Sequence, residues 1–187
     1  MIVKELKTFY IINKIKEHKN IKKEMLNLID KIPLNSFQTK YENIIHSDYN
    51  LPTNIDREYV NLFYKTIPKY MEKIKDFLCV NKIEIHNCWF QKYKKGNFHN
   101  WHIHANAQFT NIYYLEMPNK NNKTKLYNIF SDKIIDIELE EGDLLTIPSF
   151  IHHKSEDIND SHTKTIISFN SSFDLVNLEL LKKQKNI

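Results

Sequence analysis

The chain has 187 residues, enough to bury one hydrophobic core and too few for two large ones, and its 41% hydrophobic and 27% charged residues are those of an ordinary folded domain. Only Gly96 and Gly142 are glycine, so no glycine-rich phosphate loop can be written. The net charge of +4 comes from lysines interspersed with acids, which gives a solvated lysine-rich surface; nucleic-acid binding stays open to whatever clustering the fold brings about.

In chain order, residues 6–15 can form an opening strand. Ile21, Met25, Leu28 and Ile32 then recur at spacings of three and four, which predicts an amphipathic helix over 20–31 that stops at Pro33. Residues 34–56 read as loop. A second helix is expected from Arg57 to about Leu78, with Asp56 as N-cap and Phe63, Ile67, Tyr70, Ile74 and Phe77 as its core-facing stripe; Pro68 kinks or splits it. After residue 80 the texture becomes β-rich, with runs at 82–93, 109–117, 125–130, 133–139, 143–148 and 164–173. Ile135, Ile137 and Leu139 alternate with acids, the period of a half-buried strand, and Glu141-Gly142-Asp143 turns into the next one. Many short strands predict a sandwich or barrel. No repeat or linker divides the chain, so 1–187 is expected to be one domain: a mostly helical part over 1–80, a β core over 81–175, and a frayed tail over 176–187.

Cys79 and Cys88 form no CxxC pair and are too few for a disulfide framework. No apolar stretch has the length of a signal peptide or membrane span. The expected location is the cytoplasm, the host's if the protein is viral.

The histidines carry the chemistry. His99, His102 and His104 fall within six residues, and His152 and His153 are adjacent. In an extended segment residues two apart point to one side, so His102 and His104 can face one point. The segment Pro148–His153 can supply a third ligand from another strand. Imidazoles in this pattern suit Fe, Zn, Cu or Ni and leave positions open for water, O2 or a chelating substrate. An H-x-H alone is a weak signal; its combination with the later His pair in a β-rich region is stronger. Lys164 begins a later strand and can neutralise a carboxylate-bearing ligand beside the metal. Tyr93, Tyr113 and Tyr114 flank the region, and any of these phenols can contact a co-substrate or pack in the core. Asn170 can touch ligand or close a turn. His99 is an alternative ligand, and His86 and Cys88, on one face of their strand, are expected to pack. No Ser-His-Asp or Cys-His nucleophile can be assembled beside this pattern.

The stretch from about Cys88 to Phe173 resembles the Fe(II)/2-oxoglutarate oxygenases found in phages and marine bacteria, within the prolyl-hydroxylase-like superfamily. The motifs that carry the resemblance are Trp89, Gly96, His102-Ile103-His104, Thr110–Leu115, Gly142-Asp143-Leu144, Pro148–His153, and Lys164 ahead of Ser168-Phe169-Asn170. Upstream, Ser47-Asp48-Tyr49-Asn50-Leu51 is similar to that family's T-D-W-like segment. The resemblance implies an α+β chain whose mainly β core, residues 81–175, is a double-stranded β-helix of the jelly-roll or cupin-like kind with flanking N-terminal helices. It implies Fe(II) as metal, 2-oxoglutarate as co-substrate, succinate and CO2 as co-products, and oxidation of a small molecule or protein side chain. Metal ligands would be His102, His104 and His153, the last chosen over His152 by spacing. Lys164, Tyr113 and Asn170 would bind the co-substrate. His104 stands where the superfamily usually has Asp, and Lys164 where it usually has Arg. Two rivals follow from those departures: a cupin-like three-histidine metalloenzyme without 2-oxoglutarate, and a non-catalytic β-helix binding or structural domain.

Overall fold

In the computed structural model, residues 1–33, 42–44, 46–52 and 54–185 are described; of the loop expected over 34–56, positions 34–41, 45 and 53 lie outside them. Eleven strands and four α-helices are found among the described residues. The opening strand β1 is Ile11–Lys14, shorter than expected, and helix α1 spans His18–Asp30. The loop region contributes two short strands, β2 (Glu42–Asn43) and β3 (His46–Ser47). The second expected helix is split at Pro68 into α2 (Glu58–Thr66) and α3 (Pro68–Leu78), because a proline N1 opens a helix but cannot sit inside one. Arg57, not Asp56, occupies the cap position of α2, and no side chain caps it. Tyr59, Phe63, Ile67, Tyr70 and Ile74 are buried, whereas Phe77 is half exposed at the helix end.

Strands β4 (Ile83–Tyr93), β5 (Phe98–His102), β6 (Phe109–Glu116), β7 (Thr124–Asn128), β8 (Lys133–Asp136), β9 (Asp143–Pro148), β10 (His152–Ser155) and β11 (Lys164–Phe173) follow. β5 and β10 have no counterpart among the expected runs. β8 stops before Ile137, so the alternation over 133–139 belongs only partly to a strand; its own residues are all exposed, while Ile137 and Leu139 beyond it are buried. The expected frayed tail instead forms helix α4 (Leu178–Lys185).

All pairings are antiparallel and give two sheets, ordered β1-β9-β6-β11-β4-β3 and β2-β5-β10-β7-β8. Side-chain alternation divides the larger sheet into two faces. One face, with Cys88, Phe90, Tyr113, Leu115, Leu144, Ile167 and Phe169, packs on α1–α3 through Met25, Ile29, Phe63 and Tyr70. The other, with Tyr93, Ile112, Tyr114, Leu145, Ile147 and Ile166, closes on Leu126, Ile137 and Leu139 from the smaller sheet side. β6 and β9 are thus covered on both faces, which is why they read as nearly unbroken apolar runs.

A buried polar joint fixes α1 to the larger sheet. His18 Nε2 donates to Glu141 (3.1 Å), so its Nδ1 accepts from the Tyr113 hydroxyl (2.8 Å). Glu141 also accepts from Lys22 (2.6 Å) and from the backbone N–H of Met117 (2.8 Å). Gly142 has φ +87°, and a Cβ there would lie 2.9 Å from His18 Cγ. Gly142→Ala is therefore expected to cost about 2 kcal/mol, combining left-handed strain with displacement of the imidazole. Urea denaturation measures it, and an unchanged midpoint would remove the joint from the stability argument.

Candidate metal centre

His102 ends β5, His104 lies two residues on, and His153 sits in β10, which pairs with β5 so that His153 is directly opposite His102. The backbone N–H of His104 donates to Ser149 O (3.0 Å), tying the segment after β5 to the turn before β10. One ligand-capable atom from each of the three rings lies within 4.8 Å of the others. Ring centroids are 4.2 Å apart for His102–His153, 5.2 Å for His104–His153 and 5.3 Å for His102–His104. His152 is on the exposed side of β10, opposite Tyr127, and does not join them.

The hydrogen bonds behind the rings decide what they can hold. His102 Nδ1 donates to Asn100 O (2.7 Å), and His153 Nδ1 donates to Ile151 O (2.9 Å). His104 Nδ1 donates to Asn170 Oδ1 (2.6 Å). With an acceptor on every Nδ1, the lone pair of each neutral ring is on Nε2, the tautomer a ligating histidine takes. Burial holds the His104 and His153 imidazoles below the ordinary histidine range, that of His153 well below, with the neighbouring histidines adding to it. Both are neutral at pH 7 and need lose no proton to bind a cation. The donor set thus fits a divalent transition metal with open coordination positions.

His99 stacks on His102 at 3.8 Å and 12°, and its Nδ1 accepts from Gln91 Nε2 (3.2 Å). It backs the first ligand and stands apart from the three-histidine group. Trp89 and Gln91 alternate along β4 into the same cavity, with Thr110 and Ile112 beside them from β6. Trp89 lies 5.7 Å from the His104 ring and carries Tyr49 on its other side at 5.1 Å.

Lys164 starts β11 opposite Tyr93, on the same strand face as Ile166 and Ser168, which line the cavity, and is itself buried beyond that lining. It is only 1% exposed. Its Nζ donates to Ser155 Oγ (2.8 Å) and lies 5.1 Å from the Tyr93 ring centre and 6.0 Å from that of Tyr114. Among the described residues no carboxylate pairs with it, and burial alone lowers its pKa to about 7.

Two of the expected co-substrate contacts lie elsewhere. Tyr113 faces the helices, where its ring stacks on Phe63 and its hydroxyl serves His18. The reason is parity: Tyr113 and Tyr114 are consecutive on β6, and only Tyr114 points between the sheets, where its hydroxyl donates to Thr124. Asn170 stands behind His104 as the acceptor for Nδ1. Cys88 packs against the helical layer as expected, and burial raises its thiol, whereas His86, expected on the same face, is exposed and bonds Ser172; the irregular register between Ile85 and Cys88 breaks the alternation. Ser155, Gln91 and the role of His99 were not singled out in the sequence. For Ser155 a signal existed: it is two residues from His153 and shares its face.

Residues 87–130, which include His102 and His104, match the family model described as "Putative 2OG-Fe(II) oxygenase". The match ends before His153, which the fold returns to the same cavity, and before Lys164, which is buried beside it on Ser155. A search of curated proteins finds no match. Among solved structures the chain is similar to a viral collagen prolyl hydroxylase from Paramecium bursaria Chlorella virus-1, in complex with 2OG, at 13% identity and TM-score 0.60, over 87% of this chain and 95% of that one. It is similar to a prolyl-4-hydroxylase of Pseudomonas putida at 13% identity and TM-score 0.63, over 89% and 92%. HygX from Streptomyces hygroscopicus, with nickel and 2-oxoglutarate bound, matches at 9% identity and TM-score 0.64, over 88% and 83%. The two facing sheets are the double-stranded β-helix expected from the resemblance.

Proposed function

We propose that the chain is an Fe(II)- and 2-oxoglutarate-dependent oxygenase acting on a small molecule or a protein side chain. The observation that carries this reading is the gathering of three imidazoles in one cavity, with a buried lysine directly behind its wall and bonded to Ser155, which lines it. His102, His104 and His153 would hold the metal, and Lys164 would take the far carboxylate of the co-substrate. Bound Fe(II) would supply oxygen activation, coupling conversion of 2-oxoglutarate and O2 into succinate and CO2 to insertion of the second oxygen atom into a substrate C–H bond. The protein's own contribution is positional. Asn100 O, Ile151 O and Asn170 fix the three rings, Ser155 and the Tyr93 face hold the ammonium, and the apolar residues between the sheets keep water from the buried side. The family match and the 2-oxoglutarate-bound neighbours support the same reading. Both cysteines are free and buried, which suits a reducing compartment such as the cytoplasm, and among the described residues no helix is long and apolar enough to cross a membrane.

The three-histidine donor set favours the cupin-like reading without 2-oxoglutarate; a buried lysine beside the cavity, with no carboxylate partner among the described residues, speaks for a carboxylate ligand instead. Anaerobic titration separates them. With Fe(II) present, 2-oxoglutarate is expected to raise a metal-to-ligand charge-transfer band in the visible. His153→Ala should abolish the band, and His152→Ala, on the outer face, should keep it. Iron binding without a band would move the assignment to the cupin-like class.

A further inference from the structure

The two sheets leave one edge of the sandwich open. β1 ends the larger sheet, β8 ends the smaller, and the segment leading into β1 lies across a cavity from β8. Ile12 of β1 pairs with Leu145, and Ile135 of β8 pairs with Leu126, so both isoleucines sit on faces that turn toward the opposite sheet. Leu126, Leu145 and Ile147 on those faces are buried, yet Ile12 is 38% exposed and Ile135 36%. Beside them is a slot of about 540 Å³, a size that encloses a small-molecule ligand. Tyr10, Leu126, Ile135, Ile147, Phe150 and Ile151 are among its walls.

The slot adjoins the three-histidine cluster. Leu126 is directly opposite His153 across β7 and β10, and Ile147 is directly opposite Thr110, which lines the metal cavity. The turn residues Phe150, Ile151 and His152, which lead into His153, complete that end. The Lys, Asp and Glu side chains along the slot are Lys4, Glu5 and Lys7, all on the exposed segment at its opening. Neither lysine has an acidic partner among the described residues. A polypeptide would bring backbone N–H and C=O groups against walls that are mostly apolar side chains, whereas a hydrocarbon chain leaves nothing unpaired there. We propose that the slot holds the hydrocarbon chain of a long-chain carboxylate, its head at Lys4 and Lys7, and that this amphiphile is the substrate. The inference rests on the oxygenase reading and names its substrate class. One C–H bond of the chain would become C–OH with one atom of O2, the other atom entering succinate as CO2 leaves.

cis-Parinaric acid is the probe, because its fluorescence rises when its chain leaves water and its binding needs no metal, 2-oxoglutarate or oxygen. The native chain should bind it saturably. Ile135→Glu places a carboxylate in the slot and should weaken binding at least about tenfold. Ile134→Glu, the next residue on β8, lies outside the slot and should leave binding unchanged. Octanoate, decanoate and dodecanoate should displace the probe with affinity climbing by up to about fourfold per CH₂. Replacing Lys4 and Lys7 together by alanine should weaken dodecanoate several-fold and leave its methyl ester unaffected. Circular dichroism checks the variants, and if Ile135→Glu does not fold, the carboxylate series on the native chain decides. Absence of saturable binding, equal loss in both isoleucine variants, or an ester that competes as well as the acid would overturn the proposal. So would a native dimer that Ile135→Glu splits, which would put a second copy in the slot. In the anaerobic Fe(II) and 2-oxoglutarate complex, dodecanoate should shift the charge-transfer band, and an unmoved band would overturn its assignment as substrate. The band without probe binding would remove this inference and keep the oxygenase reading. Probe binding without the band would remove the oxygenase reading and the substrate role with it.

Discussion

Lys164→Met is expected to weaken 2-oxoglutarate binding by about a hundredfold or more while making the ligand-free protein more stable. The side chain is fully enclosed, and its one hydrogen bond to Ser155 does not replace the water an ammonium loses. Its pKa near 7 in the folded chain, against about 10.5 for an ordinary lysine, states the same cost in protons. Between those values the unfolded chain binds more protons than the folded one, so stability rises with pH across that window. Below about pH 7 the penalty is fully present. Methionine keeps the length, removes the charge and should add about 2 kcal/mol at pH 7, or roughly 6 °C in Tm for a chain of this size. The pH-dependent rise should flatten in the variant. Binding runs the other way. A bound carboxylate needs the ammonium, so the native Kd for 2-oxoglutarate should increase about 25-fold from pH 6.5 to 8.5. Isothermal titration calorimetry across that range tests it. A flat profile, or native-like binding by Lys164→Met, would assign the lysine to structure alone.

Asp48→Ala is expected to be the most destabilising change outside the core, costing about 3 kcal/mol and lowering Tm by about 9 °C. Asp48 is 1% exposed and accepts from Tyr59, from the backbone of Phe90 and, more distantly, from Arg57 at 3.6 Å. Its removal leaves a buried phenol and a backbone N–H without partners. Burial raises its pKa, but the three donors around it oppose that shift. Asp48→Asn keeps an acceptor oxygen and should cost about half as much. The damage is placed to be felt at the site. Asp48 and the Ser47 hydroxyl, which donates to Phe90 O (2.8 Å), hold Tyr49 against Trp89, next to His104. Thermal melts monitored by circular dichroism check the stability, and a loss under 1 kcal/mol would show that water reaches these groups.

Both residues were legible in the sequence for unequal reasons. Asp48 drew notice through a five-residue resemblance, and its role as a buried acceptor could not be read there. Lys164 was marked by its place in the resemblance and at a strand start; its burial was not readable there. Long strands were readable because burial on one or both faces imposes a period or a run. β5 and β10 fell outside the apolar runs because histidines, asparagine and lysine make up much of them, although the histidine spacing itself called for extended segments there. His102 and His104 were visible through their i, i+2 spacing, and His153 through the later histidine pair after Pro148. Tyr113 went to the wrong face because adjacent tyrosines look alike in a run whose register is not yet known. Asn170 was expected to meet the co-substrate, and its actual partner was not readable because the hydrogen bond from His104 Nδ1 spans 66 residues.

Two of the three clustered imidazoles take their orientation from the carbonyl two residues before them, Asn100 for His102 and Ile151 for His153. Those contacts are local and can form as soon as each short segment is extended, well before strands some fifty residues apart meet. Proton placement on these rings is then a property of the segment, inherited by the finished barrel. Late docking of β10 onto β5 has only to bring prepared groups together, so mutations in the distant helical layer should alter how often the site is assembled and leave its chemistry intact once it is.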